Sequence, residues 1–292
     1  MSWAEVKHAL NSTLGTEDFQ SLDKLISTRL SEWVSAYQNN KYTEFSAGEH
    51  QYVVPDGVYK LYIAACGGGA GGTGAAGDRY SSLTSVNGAG GGGGAAVLNY
   101  EILVNPGDIL NITVGAGGAG GVTSDNPTAG ANGGDTIIGN YITLKGGNAG
   151  AVVDTGPAYT FTGGKAGGTG GGDGGGPNSS GKDGILGKGG QYDGSSYGGG
   201  GGGSIGNGGH VDGYHNFTPT YTAPSKGGGG CGGWRGSSNY NVDNGQEGAS
   251  GYVMISVVEI TADMINGAAS SATSYSADAL MTAYKEGVES IG

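Results

Sequence analysis

Glycine tracts that alternate with short apolar runs constrain the fold of this chain more than any other sequence feature. Glycine accounts for 69 of the 292 residues, several times the ordinary share of about 7%. Such a composition is typical of a flexible linker, because glycine loses much backbone entropy on folding and buries no side chain. The hydrophobic residues, 36% of the chain, nevertheless cluster in strand-length runs between the tracts. This alternation favours a folded domain over a linker.

The acidic charge and the distribution of apolar residues exclude two classes of partner. The chain has 25 acidic and 13 basic residues and a formal net charge of −12, so it lacks the basic surface typical of nucleic-acid or anionic-membrane binding. No apolar segment approaches the roughly 20 residues needed to span a bilayer. The opening residues MSWAEVKHAL also lack the basic and apolar regions of a secretory signal. We expect no nucleic-acid partner, no membrane insertion and no export by a signal peptide.

Residues 43–145 carry three pairs of apolar runs that predict strands. Asp56-Gly57 joins the first pair and predicts a hairpin, Asn105-Pro106-Gly107 repeats the strand–turn–strand design, and Gly139-Asn140 is the third turn. The predicted strands are 43–55 and 58–66, 95–104 and 108–114, and 135–139 and 141–146.

The run GYVMISVVEI at 251–260 is the strongest strand signal in the chain. The stretch 146–248 has almost no strand signal, so this late strand must pair with strands before residue 145. Closing so long an excursion is feasible, because loop-closure entropy grows only logarithmically with length.

The glycine tracts within that excursion predict a packed lattice. Consecutive glycines can adopt polyproline II geometry, with three residues per turn and no internal hydrogen bonds. Without Cβ atoms, such helices can pack side by side and pair their backbone groups with one another. The tracts 163–176, 197–204 and 226–233 fit this arrangement. The predicted fold class is therefore mainly β: a glycine-rich β-sandwich with packed polyglycine II helices, preceded by a short N-terminal helical segment.

The two ends of the chain differ from its middle, which predicts three regions: 1–42, 43–260 and 261–292. Residues 1–42 read as helical, and their apolar side chains recur at three- and four-residue steps. This face could pack on its own domain, dock to a partner or oligomerise. The residues that define it as an attachment face are Phe19, Leu22, Leu25, Ile26, Leu30 and Trp33. The C-terminal extension 261–292 is rich in alanine and serine and is either partly helical, over about 278–290, or a loosely held tail.

Motifs for catalysis, cofactors or metals are weak. The segment GPNSSGKD at 176–183 ends in Asp183 where a phosphate loop needs Ser or Thr, and it has neither the preceding strand nor the following helix. His210 and His215 bracket Asp212, which is weak evidence for a metal site. We expect no enzymatic activity, no cofactor and no metal. Cys66 and Cys231 are interpreted as small buried or free thiols, with a disulfide as the alternative.

The aromatic connections between glycine tracts are the best candidates for a binding function. Their mixture of tyrosine, serine, asparagine and glycine is typical of antibody combining sites, where tyrosine supplies rigid amphipathic contact area. The alternative is that the aromatic rings cap the glycine helices and shield them from water. The candidate residues are Tyr192, Tyr197, His210, Tyr214, His215, Phe217, Tyr221, Trp234, Arg235 and Tyr240.

The succession YVVPDGVYKLYIAACGGGAGG, GAGGGGGAAVLNYEILVNPGDILNITVGAGGAGG and GASGYVMISVVEI resembles the glycine-rich domain of bacteriophage tail-fibre and adhesin proteins. The resemblance covers roughly residues 43–260. It implies a polyglycine II sandwich whose loops recognise a polysaccharide or protein on the host cell surface. It also implies location in a virion tail, attachment to other tail or baseplate proteins through the N-terminal helices, and a homotrimer as a candidate assembly. The alternative is a structural tail or baseplate component that makes no receptor contact.

Overall fold

The protein is mainly β, with antiparallel sheets and almost no helix in the part of the chain described here. A computed structural model describes residues 42–77, 85–155, 159–191, 198–212, 220–235, 242–257, 260 and 262–266. The predicted helices of the N-terminal attachment segment and of the C-terminal extension beyond Asn266 lie outside these residues. Those two predictions therefore stay predictions.

The strands fall into two four-stranded sheets and four two-stranded hairpins. In chain order they are β1 (Tyr42–Phe45), β2 (Gly48–Val53), β3 (Lys60–Cys66), β4 (Ala76–Gly77), β5 (Ser85–Val86), β6 (Ala96–Leu103), β7 (Ile109–Val114), β8 (Thr136–Ile138), β9 (Ile142–Leu144), β10 (Ala151–Asp154), β11 (Tyr159–Thr162), β12 (His210–Asp212), β13 (Thr220–Thr222), β14 (Trp234–Arg235), β15 (Val242–Asp243) and β16 (Tyr252–Ser256). One short helix, α1, spans Ala262–Ile265.

The first sheet has the strand order β1-β16-β3-β6, and the second has the order β2-β7-β8-β9. Both sheets contribute side chains to one buried cluster, which includes Leu61, Ile63 and Ile255 from the first sheet and Ile112 and Ile138 from the second. The outward face of the first sheet is also covered. There Met254 packs with residues of α1, including Ile265. Strands β3 and β16 are therefore buried on both faces, which explains their nearly continuous apolar sequences.

The late strand β16 pairs with β1 and β3, which confirms that its partners lie before residue 145. The hairpin predicted around Gly139-Asn140 is also confirmed, since β8 pairs with β9 across that turn. Gly139 has φ of +46°, a conformation that glycine adopts readily.

The predicted hairpin of strands 43–55 and 58–66 is wrong. Residues 43–55 do not form one strand; β1 belongs to the first sheet and β2 to the second, while β3 pairs with β16 and β6. Strands β6 and β7 likewise lie in different sheets. The turns themselves form, with φ of +77° at Gly57 and +84° at Gly107. A turn sequence fixes where the chain reverses but not which strand it pairs with.

Glycine-rich segments without strand structure form the rest of the described domain, and we call them together the glycine-rich bundle. They comprise 67–75, 87–95, 115–123, 128–135, 145–150, 163–176, 179–191, 198–209, 223–233 and 244–251. These segments hydrogen-bond to one another through their backbones, at N···O distances near 2.9 Å.

The donors of segment 67–75 point in three directions in turn. Gly67, Ala70 and Thr73 donate to segment 87–95, Gly68, Gly71 and Gly74 donate to segment 128–135, and Gly69 and Gly72 donate to segment 244–251. Segment 87–95 follows the same rule: Gly88, Gly91 and Gly94 donate to segment 223–233, while Gly90 and Gly93 donate to segment 163–176. In these two segments, donors three residues apart therefore bond to the same neighbouring segment.

Candidate functional site

The four two-stranded hairpins extend from the end of the bundle that lies opposite the two large sheets, which we call the distal end. Segment 67–75 runs from β3, in the first large sheet, to β4, in a short hairpin, so the sheet and the hairpin lie at opposite ends of this segment. Gly88, just after β5, donates to Gly233, just before β14. The hairpins β4–β5 and β14–β15 are therefore neighbours at one end of the bundle.

The other two hairpins reach the same end. Tyr159 and Phe161 of β11 share a buried cluster with Ala76 of β4, and Val211 of β12 shares one with Trp234 of β14. The residues that flank a fifth connection, 192–197, lie there as well, since Gly199 donates to Gly88 and Gly190 donates to Gly201. The sequences 78–84, 156–158, 192–197, 213–219 and 236–241 join the described elements at the distal end.

Four of the predicted binding residues lie within described elements. Trp234 is buried, with 8% of its surface exposed, and packs with Val211 and Cys231. Tyr221 is partly buried against the same cluster. His210 begins β12 and Arg235 ends β14, so both are placed at the distal end.

The remaining predicted site residues lie outside the described residues. For the distal connections these are Tyr192, Tyr197, Tyr214, His215, Phe217 and Tyr240, and for the attachment face Phe19, Leu22, Leu25, Ile26, Leu30 and Trp33. The structure thus brings together, at one end, the strands that flank 213–219 and 236–241 and the glycine-rich residues that flank 192–197. The aromatic residues between them lie outside the described residues.

The burial of Trp234, Tyr159 and Phe161 gives these three rings a structural role. Tyr159 and Phe161 pack with the small side chains of Ala76 and Ala89. Trp234 packs with Cys231 near the end of segment 223–233. Burying an aromatic ring at this position shields the adjoining backbone hydrogen bonds from water. For these residues the packing corresponds to the capping alternative.

Both cysteines are buried and unpaired, as the sequence interpretation favoured. Cys66 donates to the carbonyl oxygen of Lys226 at 3.1 Å. Burial raises the pKa of each thiol to about 12, so the reactive thiolate is scarce at neutral pH. Neither thiol is suited to act as a nucleophile.

Sequence analysis missed three aspartates that hold the edge of the bundle. These are Asp135, Asp173 and Asp183. Oδ1 of each aspartate accepts a backbone N–H, and Oδ2 accepts hydrogen bonds from lysine. The N–H on Asp135 comes from Gly146 of another segment, whereas those on Asp173 and Asp183 come from Ala166 and Gly189 of the same segment. We call each such arrangement an aspartate clip. The lysines are Lys145 on Asp135, Lys165 and Lys182 on Asp173, and Lys188 on Asp183. The Asp–Lys separations vary too much along the sequence to form a recognisable motif.

The clips lower the pKa of their carboxyl groups. For Asp173 the hydrogen bond from the Ala166 N–H is the largest cause, followed by those from Lys182 and Lys165, and the pKa falls to about 2. The pKa values of Asp135 and Asp183 are lowered mainly by Lys145 and Lys188. All three carboxylates therefore stay ionised at neutral pH.

Two other features are absent from the residues that the structure describes. No helix there has the length and apolarity required to cross a membrane. The same residues contain no group of three or more His, Cys, Asp or Glu side chains placed to hold a metal ion.

Comparison with known proteins identifies a family. The family model described as "Glycine-rich domain" matches residues 44–258, which is most of the chain and nearly the same region that the sequence analysis delimits. No curated protein matches the chain significantly.

Proposed function

The chain belongs to the glycine-rich domain family, and from this premise we propose that residues 43–260 form a β-sandwich continued by packed polyglycine II helices. The threefold alternation of donor directions supports the helix assignment, since polyproline II geometry has three residues per turn. The buried cluster shared by the two large sheets supports the sandwich.

We propose that the protein is a tail-fibre or receptor-binding component of a phage or prophage-derived particle, and that it recognises a host cell-surface structure. The observation that carries this proposal is the position of the distal connections. Five connections begin and end at one end of a backbone-bonded bundle. Two of them, 192–197 and 236–241, consist mostly of tyrosine, serine, asparagine and glycine, and 213–219 carries Tyr214, His215 and Phe217. A rigid scaffold that presents adaptable loops on one side is a common design for recognition.

The proposal includes a location and an attachment mode. The protein would reside in the virion tail, and the apolar face that includes Leu22 and Leu25 would bind other tail or baseplate proteins. The distal end would face outward towards a surface polysaccharide or protein. Homotrimers are the assembly that the phage resemblance implies. The activity is binding without catalysis.

The test is binding of the purified full-length protein to a panel of intact bacteria and to their isolated wall polysaccharides. Replacing 213–219 and 236–241 with glycine–serine sequences of equal length should abolish binding, while β12–β15 stay in place. A matched control replaces Glu49 and Gln51 with serine on the exposed face of β2, outside the distal end, and should bind normally. Full binding by the doubly replaced protein would refute the assignment of recognition to these connections.

A structural tail or baseplate component is the second candidate function. The burial of Trp234, Tyr159 and Phe161 favours it, because aromatic rings that are buried against the glycine-rich bundle offer little contact area to a receptor. In that case the wild-type protein would bind none of the cells, and it would instead co-assemble with tail proteins through residues 1–42.

A further inference from the structure

An open groove of about 710 Å³ runs along the bundle beside the β10–β11 hairpin. Ala151 of β10 and Thr162 of β11 line its distal part, and Lys165, Asp173 and Lys182 line the part nearer the bundle. Gly163 and Gly174 contribute only backbone, which we call the floor of the groove, and Asn148 and Ala149 complete the lining. A volume of this size suits one or two sugar rings, since small-molecule sites commonly measure about 300–1,000 Å³.

The charged groups in this groove offer donors, because the carboxylate of Asp173 is already engaged by hydrogen bonds. Asp173 Oδ2 accepts from Lys165 Nζ at 3.3 Å and from Lys182 Nζ at 3.0 Å, while Oδ1 accepts the N–H of Ala166 at 3.0 Å. The carboxylate is thus occupied at both oxygens. Each ammonium carries three protons, and both lysine side chains are largely exposed, at 78% and 73%.

The charges of the groove add up to a local excess of one positive charge, from two lysines and one aspartate, on a chain of net charge −12. Asp173 also holds the two ammonium groups beside each other by accepting from both. A ligand that complements this site must bring negative charge and hydrogen-bond acceptors of its own. A carboxylate or phosphate group supplies both.

We propose that the Lys165–Lys182 groove binds the anionic groups of an acidic polysaccharide. This inference rests on the proposed recognition function and names the class of ligand for a subsite on the side of the bundle, within residues that the structure describes. Lys165 and Lys182 contact the carboxylate or phosphate, and the backbone floor accommodates the sugar. Asp173 offsets one of the two positive charges, so its carboxylate competes with the anionic ligand for both ammonium groups.

The experiment measures binding of the full-length protein to three polymers with one backbone: carboxymethyl-dextran, dextran phosphate and plain dextran. The charged polymers should bind in a salt-sensitive way, and plain dextran should not. Comparison of the two charged polymers decides whether carboxylate or phosphate is preferred. Equal binding of plain dextran, or no binding of either charged polymer, would overturn the proposal.

Variants with matched charge changes locate the site. The double variant K165Q/K182Q should weaken binding of the charged polymers by about fivefold or more, as expected for the loss of two exposed charge contacts. The control K145Q/K188Q removes the same charge from the neighbouring clips of Asp135 and Asp183, and it should change binding by less than about twofold. An equal loss in both double variants would mean diffuse attraction and would contradict a groove site.

The variant D173N should change binding of the charged polymers in the direction opposite to K165Q/K182Q. Asparagine retains an Oδ1 acceptor for Ala166 but loses the charge that opposes an anion. Binding of the charged polymers should therefore strengthen by about twofold or more, with thermal unfolding measured to show that the variant is folded. Unchanged or weaker binding by folded D173N would overturn the proposal. If the wild-type protein binds no charged dextran but its binding to cells still depends on 213–219 and 236–241, the groove proposal is rejected and the proposed recognition function stands.

Discussion

At the scale of single residues, the bundle depends on backbone approaches that leave no room for a side chain. A Cβ added to Gly69 would lie 2.0 Å from the carbonyl oxygen of Gly228, and one added to Gly91 would lie 2.3 Å from that of Ala70. Where a polar residue enters the bundle, its side chain can replace a backbone acceptor. Thr73 Oγ1 accepts from the N–H of Ala89 at 2.8 Å, and Asn207 Oδ1 accepts from that of Lys188 at 2.8 Å.

We predict that Gly91→Ala destabilises the protein strongly. The new methyl group would meet backbone atoms of Ala70 and Gly71 at 2.3 to 2.7 Å, and the resulting overpacking should lower the free energy of unfolding by about 1–3 kcal/mol or more. Urea unfolding measures the change. Gly176→Ala is the matched control, because nothing lies within 4 Å of its added Cβ. Equal stabilities of the two variants would contradict this account of the close approach.

At the scale of elements, the aspartate clips supplement the backbone pairing at the edge of the bundle. The Asp135 clip joins segments 128–135 and 145–150, and Asp173 joins segments 163–176 and 179–191 through Lys182. The Asp183 clip ties together two parts of segment 179–191. Since all three carboxyl pKa values are lowered, the clips link stability to pH. A carboxyl whose pKa is lower in the folded state stabilises the fold above its unfolded pKa and ceases to do so as the pH falls through its folded pKa.

We therefore expect the free energy of unfolding to decrease as the pH is lowered from about 4, the unfolded value for aspartate, to about 2. The triple variant D135N/D173N/D183N should lose less stability over this interval, because asparagine keeps an acceptor but does not titrate. Urea unfolding at a series of pH values measures both proteins. Between pH 5 and 7 the free energies of unfolding of the two proteins should differ by a constant amount, which serves as an internal control. An identical decrease below pH 4 would rule out the clips as its source.

At the scale of the whole molecule, the last strand closes the fold. Strand β16 inserts between β1 and β3, and its side chains Val253, Met254 and Ile255 are almost completely buried. The first sheet is therefore complete only when β16, at the end of the domain, has joined β1 and β3. The segments between residue 145 and β16 are connected to a sheet that this last strand completes.

Truncation after Ser250 should abolish cooperative folding, although the glycine-rich bundle would lose just one residue, Gly251. Removing β16 exposes Ile63 and its neighbours and leaves β1 without its partner. Differential scanning calorimetry should show no unfolding transition. Truncation after Asn266, which retains every described element, is the control and should unfold cooperatively. A cooperative transition in the shorter protein would mean that the bundle folds without the sheets.

Much of the local structure was predictable from the sequence, because it depends on local chemistry. Gly139-Asn140 specified a true hairpin, and the apolar run around Val253 specified a buried strand. The split of 43–55 between two sheets was not predictable. Its alternating pattern suits one strand or two, and Asp56-Gly57 forms its turn whichever strands pair. The clip at Asp173 was equally hidden, since it unites residues of two segments, 163–176 and 179–191.

The sequence by itself determined that glycine tracts must pair their backbones with one another and that a late apolar strand must return to the early ones. Both conclusions follow from the cost of burying unpaired backbone groups or exposing apolar side chains. Only the tertiary structure decided which strands share a sheet, that the short hairpins meet at the distal end, and that Trp234 is buried there. These features depend on contacts between residues far apart in the chain, and local sequence patterns carry no information about such partners.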